Sequence, residues 1–389
     1  MLADNRIAEL AEMDEKLLAE VFAGVDVGAL DTSVTGYTDA DLFGAVSRLA
    51  NDMSDEEDEA KASLSDRFIF PPTSVLNARC GEWTERKSAW LAIGINSEVG
   101  REKNLTYNSA AIADATFYDK KKAKEKELGR ELSTKEYTEK YYQLGDSTDN
   151  STSIFDPVLC ELCYKWFSGE GGRVLDPFSG GSVRGIVAAL TDREYTGVDL
   201  RQEQIDANAA QWERLQSHYN TAPAPMWITG DSLDVLQTMA CKYDMIFSCP
   251  PYADLEVYSD DPADLSNMEY SDFLVAYREI IRMACDRLEN DRFAVFVVGE
   301  VRDKKGNYRN FVADTIQAFL DAGLKYYNEA VLVTHISGAR FRIGRTFTAG
   351  RKLCKTHQNV LVFVKGDARK ATEYCGDISA DLPEYEEET

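Results

Sequence analysis

The sequence predicts an α/β domain built on a mostly parallel sheet with helices on both faces, and three observations carry that expectation. From about residue 150 onward, short β-branched or aromatic runs alternate regularly with helical stretches. Three successive runs each end in an acid within a turn, as strands do where they open into a loop. A chain of 389 residues that is 44% hydrophobic also has enough apolar material for one large core with appendages.

The strand candidates are 173–175, 194–198, 226–229, 243–247, 293–298, 326–333 and 359–364. Helical candidates lie near 185–190, 202–216, 270–288 and 310–322. A basic stretch without a clear helix joins the last two strands, which suits an antiparallel pairing between them. Upstream, residues 1–66 read as an acidic, α-rich extension of short amphipathic helices ending in the run Asp55 to Glu59. Residues 67–150 form an accessory region: RFIFPPTSVLNARCGEW suggests an ordered unit, 115–143 a surface helix or helical hairpin, and 145–153 a loop. The main domain is then 151–370, followed by an acidic tail over 371–389.

The net charge of −24 is unevenly placed. Residues 1–66 hold 17 acids against four bases, and 371–389 hold seven acids and no base. Residues 331–370 instead carry nine Lys/Arg against the single Asp367. The acidic ends suit a protein partner, while the basic stretch suits a polyanion. No apolar run is long enough to span a membrane, and no secretory leader is visible. The eight scattered cysteines fit a reducing, cytoplasmic setting. Cys160 and Cys163 form the sole C-x-x-C, and with three histidines in the chain no second ligand pair is at hand, so no metal is expected.

The chemistry-bearing residues lie at strand ends. The first strand ends in Asp176-Pro177-Phe178, followed by Gly180, Gly181 and a helix, VLDPFSGGSVRGIVAAL. Glycines there let the backbone approach a ligand, and the helix N-terminus favours electronegative groups. The second strand ends in Asp199, placed to accept from ribose hydroxyls. The third ends in Gly230-Asp231-Ser232, where a carboxylate suits an adenine amino group. The fourth ends in IFSCPPY: Pro250 and Pro251 cannot extend a sheet and force a rigid turn. Such a turn fixes carbonyl acceptors, which pull a ring amino nitrogen toward a pyramidal, more nucleophilic form, with Tyr252 stacked on the ring.

Asp176-Pro177-Phe178 with Gly180, together with Cys249-Pro250-Pro251-Tyr252, resembles the DNA amino-methyltransferases acting on adenine N6 or cytosine N4. The similarity covers roughly 150–366, and the 67–83 segment looks like the N-terminal portion of phage-encoded members. The resemblance implies a Rossmann-like sheet of seven strands, S-adenosylmethionine as methyl donor, and a base flipped from double-stranded DNA. It implies catalytic roles for Cys249, Pro250, Pro251 and Tyr252. It also implies that 152–167, with Phe155 and Asp156, lines a cofactor site shared with Asp176, Pro177, Phe178, Gly180, Gly181, Asp199, Asp231 and Ser232. Two positions depart from the family: Ser182 stands where a second spaced glycine is usual, and Cys249 replaces the Asp, Asn or Ser that accepts from the target amino group. A thiol is a weak acceptor, which leaves the turn's carbonyls as the main ones. A covalent C5-cytosine mechanism on Cys249 suits the Pro-Pro-Tyr turn less well.

The segment ISGARFRIGRTFTAGRKLCKTH interleaves Arg340, Arg342, Arg345, Arg351, Lys352 and Lys355 with Phe341 and Phe347, and three glycines loosen it. Bases of this kind neutralise phosphates and aromatics stack on or wedge between bases, so the segment reads as a DNA-contacting loop. Competing functions are methylation of RNA or a protein amide, and a degenerate methyltransferase fold that binds a protein partner.

Overall fold

The computed structural model describes residues 64–95, 117–130, 155–252, 264–303, 305–335 and 340–383, with isolated positions between 132 and 141. Most of the expected acidic extension, the expected 145–153 loop and residues 253–263 lie outside the described residues. Residues 73–389 form one compact unit, and 1–72 another.

The larger unit is an eight-stranded sheet. Its strands are β1 (Val75–Asn77), β2 (Arg173–Asp176), β3 (Glu194–Asp199), β4 (Met226–Thr229), β5 (Tyr243–Ser248), β6 (Leu288–Val298), β7 (Lys325–Val333) and β8 (His357–Lys365). They lie in the order β1-β7-β8-β6-β5-β2-β3-β4. The helices are α1 (Gly81–Ala92), α2 (Phe117–Leu128), α3 (Pro157–Phe167), α4 (Val183–Leu190), α5 (Gln202–Leu215), α6 (Ser232–Thr238), α7 (Tyr270–Arg287), α8 (Phe311–Asp321), α9 (Arg340–Gly350) and α10 (Ala368–Cys375).

All seven expected strands are present, and β8 runs antiparallel to both β6 and β7. An eighth strand was missed: β1, three residues from the accessory region, pairs parallel with β7 through Val75↔Val331 and Leu76↔Leu332. Its pairing partner lies far along the chain, so no local alternation with a neighbouring helix marks it. The basic 336–357 stretch also differs from expectation, because Arg340–Gly350 is helical. Its Arg, Phe, Ile and Ala residues are adequate helix formers, and the interior Gly344 costs only about 1 kcal/mol relative to Ala. The helix stops after Gly350, where Arg351 adopts a left-handed φ of 51° and its N–H closes the last turn on the Phe347 carbonyl at 2.7 Å.

The core forms around β5, β6 and β8. Phe296, Phe319 and Phe363 are completely buried, and Phe319 stacks on Phe363 with ring centroids 4.0 Å apart. Burying each such ring contributes about 1.5–3 kcal/mol. Against this core packs α7, whose buried stripe Phe273, Tyr277, Ile280, Ile281 and Ala284 has the helical period. Cys160 and Cys163 are free, buried thiols on α3, and burial holds both well above the ordinary cysteine pKa, which suits packing rather than metal binding.

Strands β2, β3 and β4 step outward to one edge, and the chain then returns to β5 on the other side of β2. That reversal makes the carboxyl ends of β2 and β5 a topological switch point, where open α/β sheets form their ligand crevice. Since β8 is reversed and β7 is parallel to β6, the carboxyl ends of β6 and β7 and the start of β8 share that edge.

Candidate active site

At the end of β2 the backbone turns through Pro177, Phe178 and Ser179 to Gly180, whose φ of 52° requires glycine or a tolerant residue. The turn is braced from every side. The Phe178 N–H donates to Asp176 Oδ1 at 3.1 Å, and the Ser179 N–H donates to the Val198 carbonyl at 2.9 Å. The Gly180 N–H donates to Asp199 Oδ2 at 3.0 Å, and Asn208 Nδ2 donates to the Gly180 carbonyl at 2.8 Å. The Ser232 hydroxyl donates to the Pro177 carbonyl, tying the end of β4 to the same turn. Phe178 half-covers the crevice floor, its ring 5.9 Å from Tyr277.

Asp176 is not available to a ligand, a correction to its expected cofactor role. Its carboxylate is wholly buried and accepts from Arg184 Nε at 2.6 Å, the Tyr195 hydroxyl at 2.7 Å, the Ser248 hydroxyl and the Phe178 N–H. Burial opposes the Arg184 charge, yet Asp176, Tyr195 and Cys249 hold its pKa above the ordinary arginine value. Arg184 in turn donates to the carbonyls of Phe178 and Ser179, so the buried pair shapes the glycine turn. Sequence reasoning missed this because Arg184 lies in an apolar helical run, one turn along from Asp176.

Asp156 is half-buried and has a structural role. It caps α3 by accepting the Val158 N–H at 3.0 Å and is held by Lys87 Nζ at 3.0 Å and Trp83 Nε1 at 3.3 Å. Phe155 does reach the switch point, edge-on to Phe247 at 5.8 Å with the Arg184 guanidinium 4.7 Å over its ring. The usual second glycine is replaced by Ser182, buried at the start of α4 with its hydroxyl on Gln211 of α5. Half-buried Gly181 stands between the two.

Asp199 and Asp231 remain half-exposed at the ends of β3 and β4. Asp199 also accepts the Arg201 N–H at 2.9 Å, and Asp231 caps α6 by accepting the Leu233 N–H at 2.9 Å. Both therefore sit in the crevice with directed oxygens.

The Cys249–Tyr252 turn leaves β5 beside this crevice. Buried Ser248, just before it, donates its hydroxyl to Asp176. Cys249 is half-buried, its Sγ 3.9 Å from Tyr252 Oη. Tyr252 is edge-on to Phe311 at 6.3 Å and accepts from Gln358 Nε2 at 2.8 Å. Gly299, after β6, faces the Tyr252 ring. Gln358 gave no sequence signal, since a lone polar residue at a strand start is ordinary; only the β6–β8 pairing delivers it here.

The basic residues surround the same edge. Arg345 and Arg351 lie in or just after exposed α9, with Lys352 and Lys355 following, while Arg340 and Arg342 occupy its first turn and their side chains lie outside the described positions. Lys355 reaches inward, donating to Asn359 Oδ1 at 3.3 Å; burial lowers its pKa, with Glu300 and Glu329 pulling the other way.

The switch point after β2, with the glycine turn braced beside it and β8 reversed in the sheet, defines an open, Rossmann-like α/β fold. In sequence, a 51-residue stretch is 39% identical to the type II methyltransferase M.SmaI of Serratia marcescens, spanning 13% of this chain and 18% of that protein's length. No family model matches. Among solved structures, TrmN from Thermus thermophilus is similar over 56% of this chain and 51% of its own, at 14% identity and a TM-score of 0.37. The magnesium protoporphyrin IX methyltransferase ChlM of Synechocystis PCC 6803, with bound SAM, is similar over 51% of this chain and 71% of its own, at 12% identity and a TM-score of 0.31. Likenesses of that size say nothing about substrate. Among the described residues, no group of side chains has metal-ligand spacing, and no helix is long and apolar enough to cross a membrane.

Proposed function

We propose that this protein methylates the exocyclic amino group of adenine (N6) or cytosine (N4) in double-stranded DNA, with S-adenosylmethionine as donor and the target base flipped out of the duplex. The observation that carries the proposal is the juxtaposition of the braced glycine turn after β2 and the Pro-Pro-Tyr turn after β5 at one switch point, linked by the Ser248–Asp176 hydrogen bond.

The residues fit the donor. The left-handed turn at Gly180 opens backbone space, Asp199 and Asp231 offer acceptors for ribose hydroxyls and an adenine amino group, and Phe178 and Leu233 supply partly buried apolar surface. Bound there, the donor supplies an electrophilic methyl group on a positively charged sulfur. Pro250 and Pro251 contribute no N–H to a ladder, so the turn's carbonyls are held for the target's N–H bonds. Tyr252, tethered by Gln358, offers its ring as a stacking surface. Orientation then supplies most of the rate, and neither a metal nor a covalent enzyme intermediate is required.

The test is methylation of mixed-sequence duplex DNA with labelled donor, followed by nucleoside mass spectrometry. N6-methyl-2′-deoxyadenosine or N4-methyl-2′-deoxycytidine is expected from the wild type, and at least about 100-fold less from Tyr252→Ala, with donor affinity unchanged. Transfer to RNA or protein alone, or donor binding without transfer to any of them, defeats the proposal.

A further inference from the structure

The candidate nucleic-acid surface is not limited to α9 and the residues after it. Between β6 and α8 the chain forms a small hairpin at the same sheet edge. Its backbone is closed by the Arg302↔Tyr308 bridge, by the Asp303 N–H on the Asn307 carbonyl at 2.8 Å, and by the Arg309 N–H on the Val301 carbonyl at 2.9 Å. At the tip, the Gly306 N–H donates to the Asp303 carbonyl at 2.9 Å. The hairpin is thus held by its own hydrogen bonds.

Both acids of this stretch are engaged by backbone N–H groups: Glu300 accepts those of Phe311 and Val312 at the start of α8, and Asp303 accepts that of Asn307 at 2.8 Å. Lys305 is exposed, and the Arg302 guanidinium lies 3.9 Å over the ring of Tyr308. Tyr308 is 48% exposed, which places a large aromatic ring in solvent rather than in the core. The Lys352 ammonium occupies the space a Cβ at Gly306 would take, so the tip touches the basic segment after α9. Hairpin and segment form one positive surface beside the Pro-Pro-Tyr turn.

Resting on the methyltransferase reading above, we propose that the 302–309 hairpin is a second DNA-contacting element, with Arg302 and Lys305 on phosphates and Tyr308 stacking on an unstacked base. A two-stranded ribbon of this width enters a duplex groove, and a cation stacked on an exposed aromatic suits a site where a base has left the helix.

The experiment compares Arg302→Ala/Lys305→Ala with Arg369→Ala/Lys370→Ala, an equal loss of charge at the opposite sheet edge, where β8 ends. Affinity for a mixed-sequence duplex is measured across a salt series, with thermal unfolding and donor binding measured in parallel. The hairpin variant is expected to lose about tenfold or more in affinity at low salt and about two units of salt slope, with donor affinity intact; the control pair is expected to retain wild-type values. Tyr308→Ala is expected to raise the KM for DNA several-fold, with recovery in Tyr308→Trp. Should the double variant misfold, Lys305→Ala, at an exposed position, is expected to lower the slope by about one unit. A wild-type slope in both hairpin variants, in a protein that methylates DNA, overturns this inference and leaves the methyltransferase reading standing. A wild-type protein that neither binds nor methylates duplex DNA overturns both.

Discussion

The two halves of the sheet edge are built on different principles. Around β2, β3 and β4, polar side chains are directed into the fold: Asp176, Arg184, Tyr195 and Ser232 are buried, and their hydrogen bonds end on one another or on loop backbone. Around β6, β7 and β8, backbone pairing places the hairpin and α9, while Lys305, Tyr308 and Phe347 stand exposed. The first arrangement suits a small ligand of fixed shape, for which pre-organisation limits the entropy lost on binding. The second suits a long polyanion whose phosphates are met by mobile cations.

The sharpest way to break this contrast is a charge deletion in each half. Arg184→Met leaves Asp176 buried without its cation and is expected to cost about 3–5 kcal/mol. Arg345→Ala on exposed α9 is expected to stay within about 0.5 kcal/mol of wild type. Chemical denaturation measures both, and equal losses would erase the distinction.

A smaller effect is expected where the halves meet. Gln358 comes from the basic half but tethers Tyr252 of the Pro-Pro-Tyr turn. Gln358→Leu is expected to lower kcat about three- to tenfold at unchanged donor affinity. Tyr252→Phe removes the same hydrogen bond, so the double variant is expected to be no worse than the poorer single one. Additive losses would mean that Gln358 acts elsewhere.

The smallest effect concerns pH. Burial lowers the Lys355 pKa, so this ammonium loses its proton before exposed lysines do as pH rises. The duplex affinity it contributes is expected to decline at a lower pH than that contributed by exposed lysines, whereas Lys355→Arg keeps its charge and loses less. Parallel pH profiles for wild type and variant would show that Lys355 takes no part in binding.

Seven of the strands, the glycine turn and the Pro-Pro-Tyr turn were legible in the sequence because each depends on local chemistry. Hydrophobic period, the missing proline N–H and the glycine backbone act within a few residues. The helix at 340–350 was not legible, since its glycines argue for a loop while its other residues permit a helix. Nor was the basic hairpin, whose nearby acids cancel its bases along the chain and whose approach to Lys352 only the folded chain brings about.

By itself, then, the sequence determined the α/β alternation, the order of the motifs and the residues available for chemistry, since these follow from propensities acting over short spans. Tertiary structure alone decided which carboxylates are wholly buried and which stay half-exposed. Asp176 and Asp199 look alike at strand ends, but a hydrogen-bonded carboxylate is committed only once its donors arrive. The donors of Asp176 come from α4, β3 and β5, which only the folded sheet brings around one buried pair of oxygens.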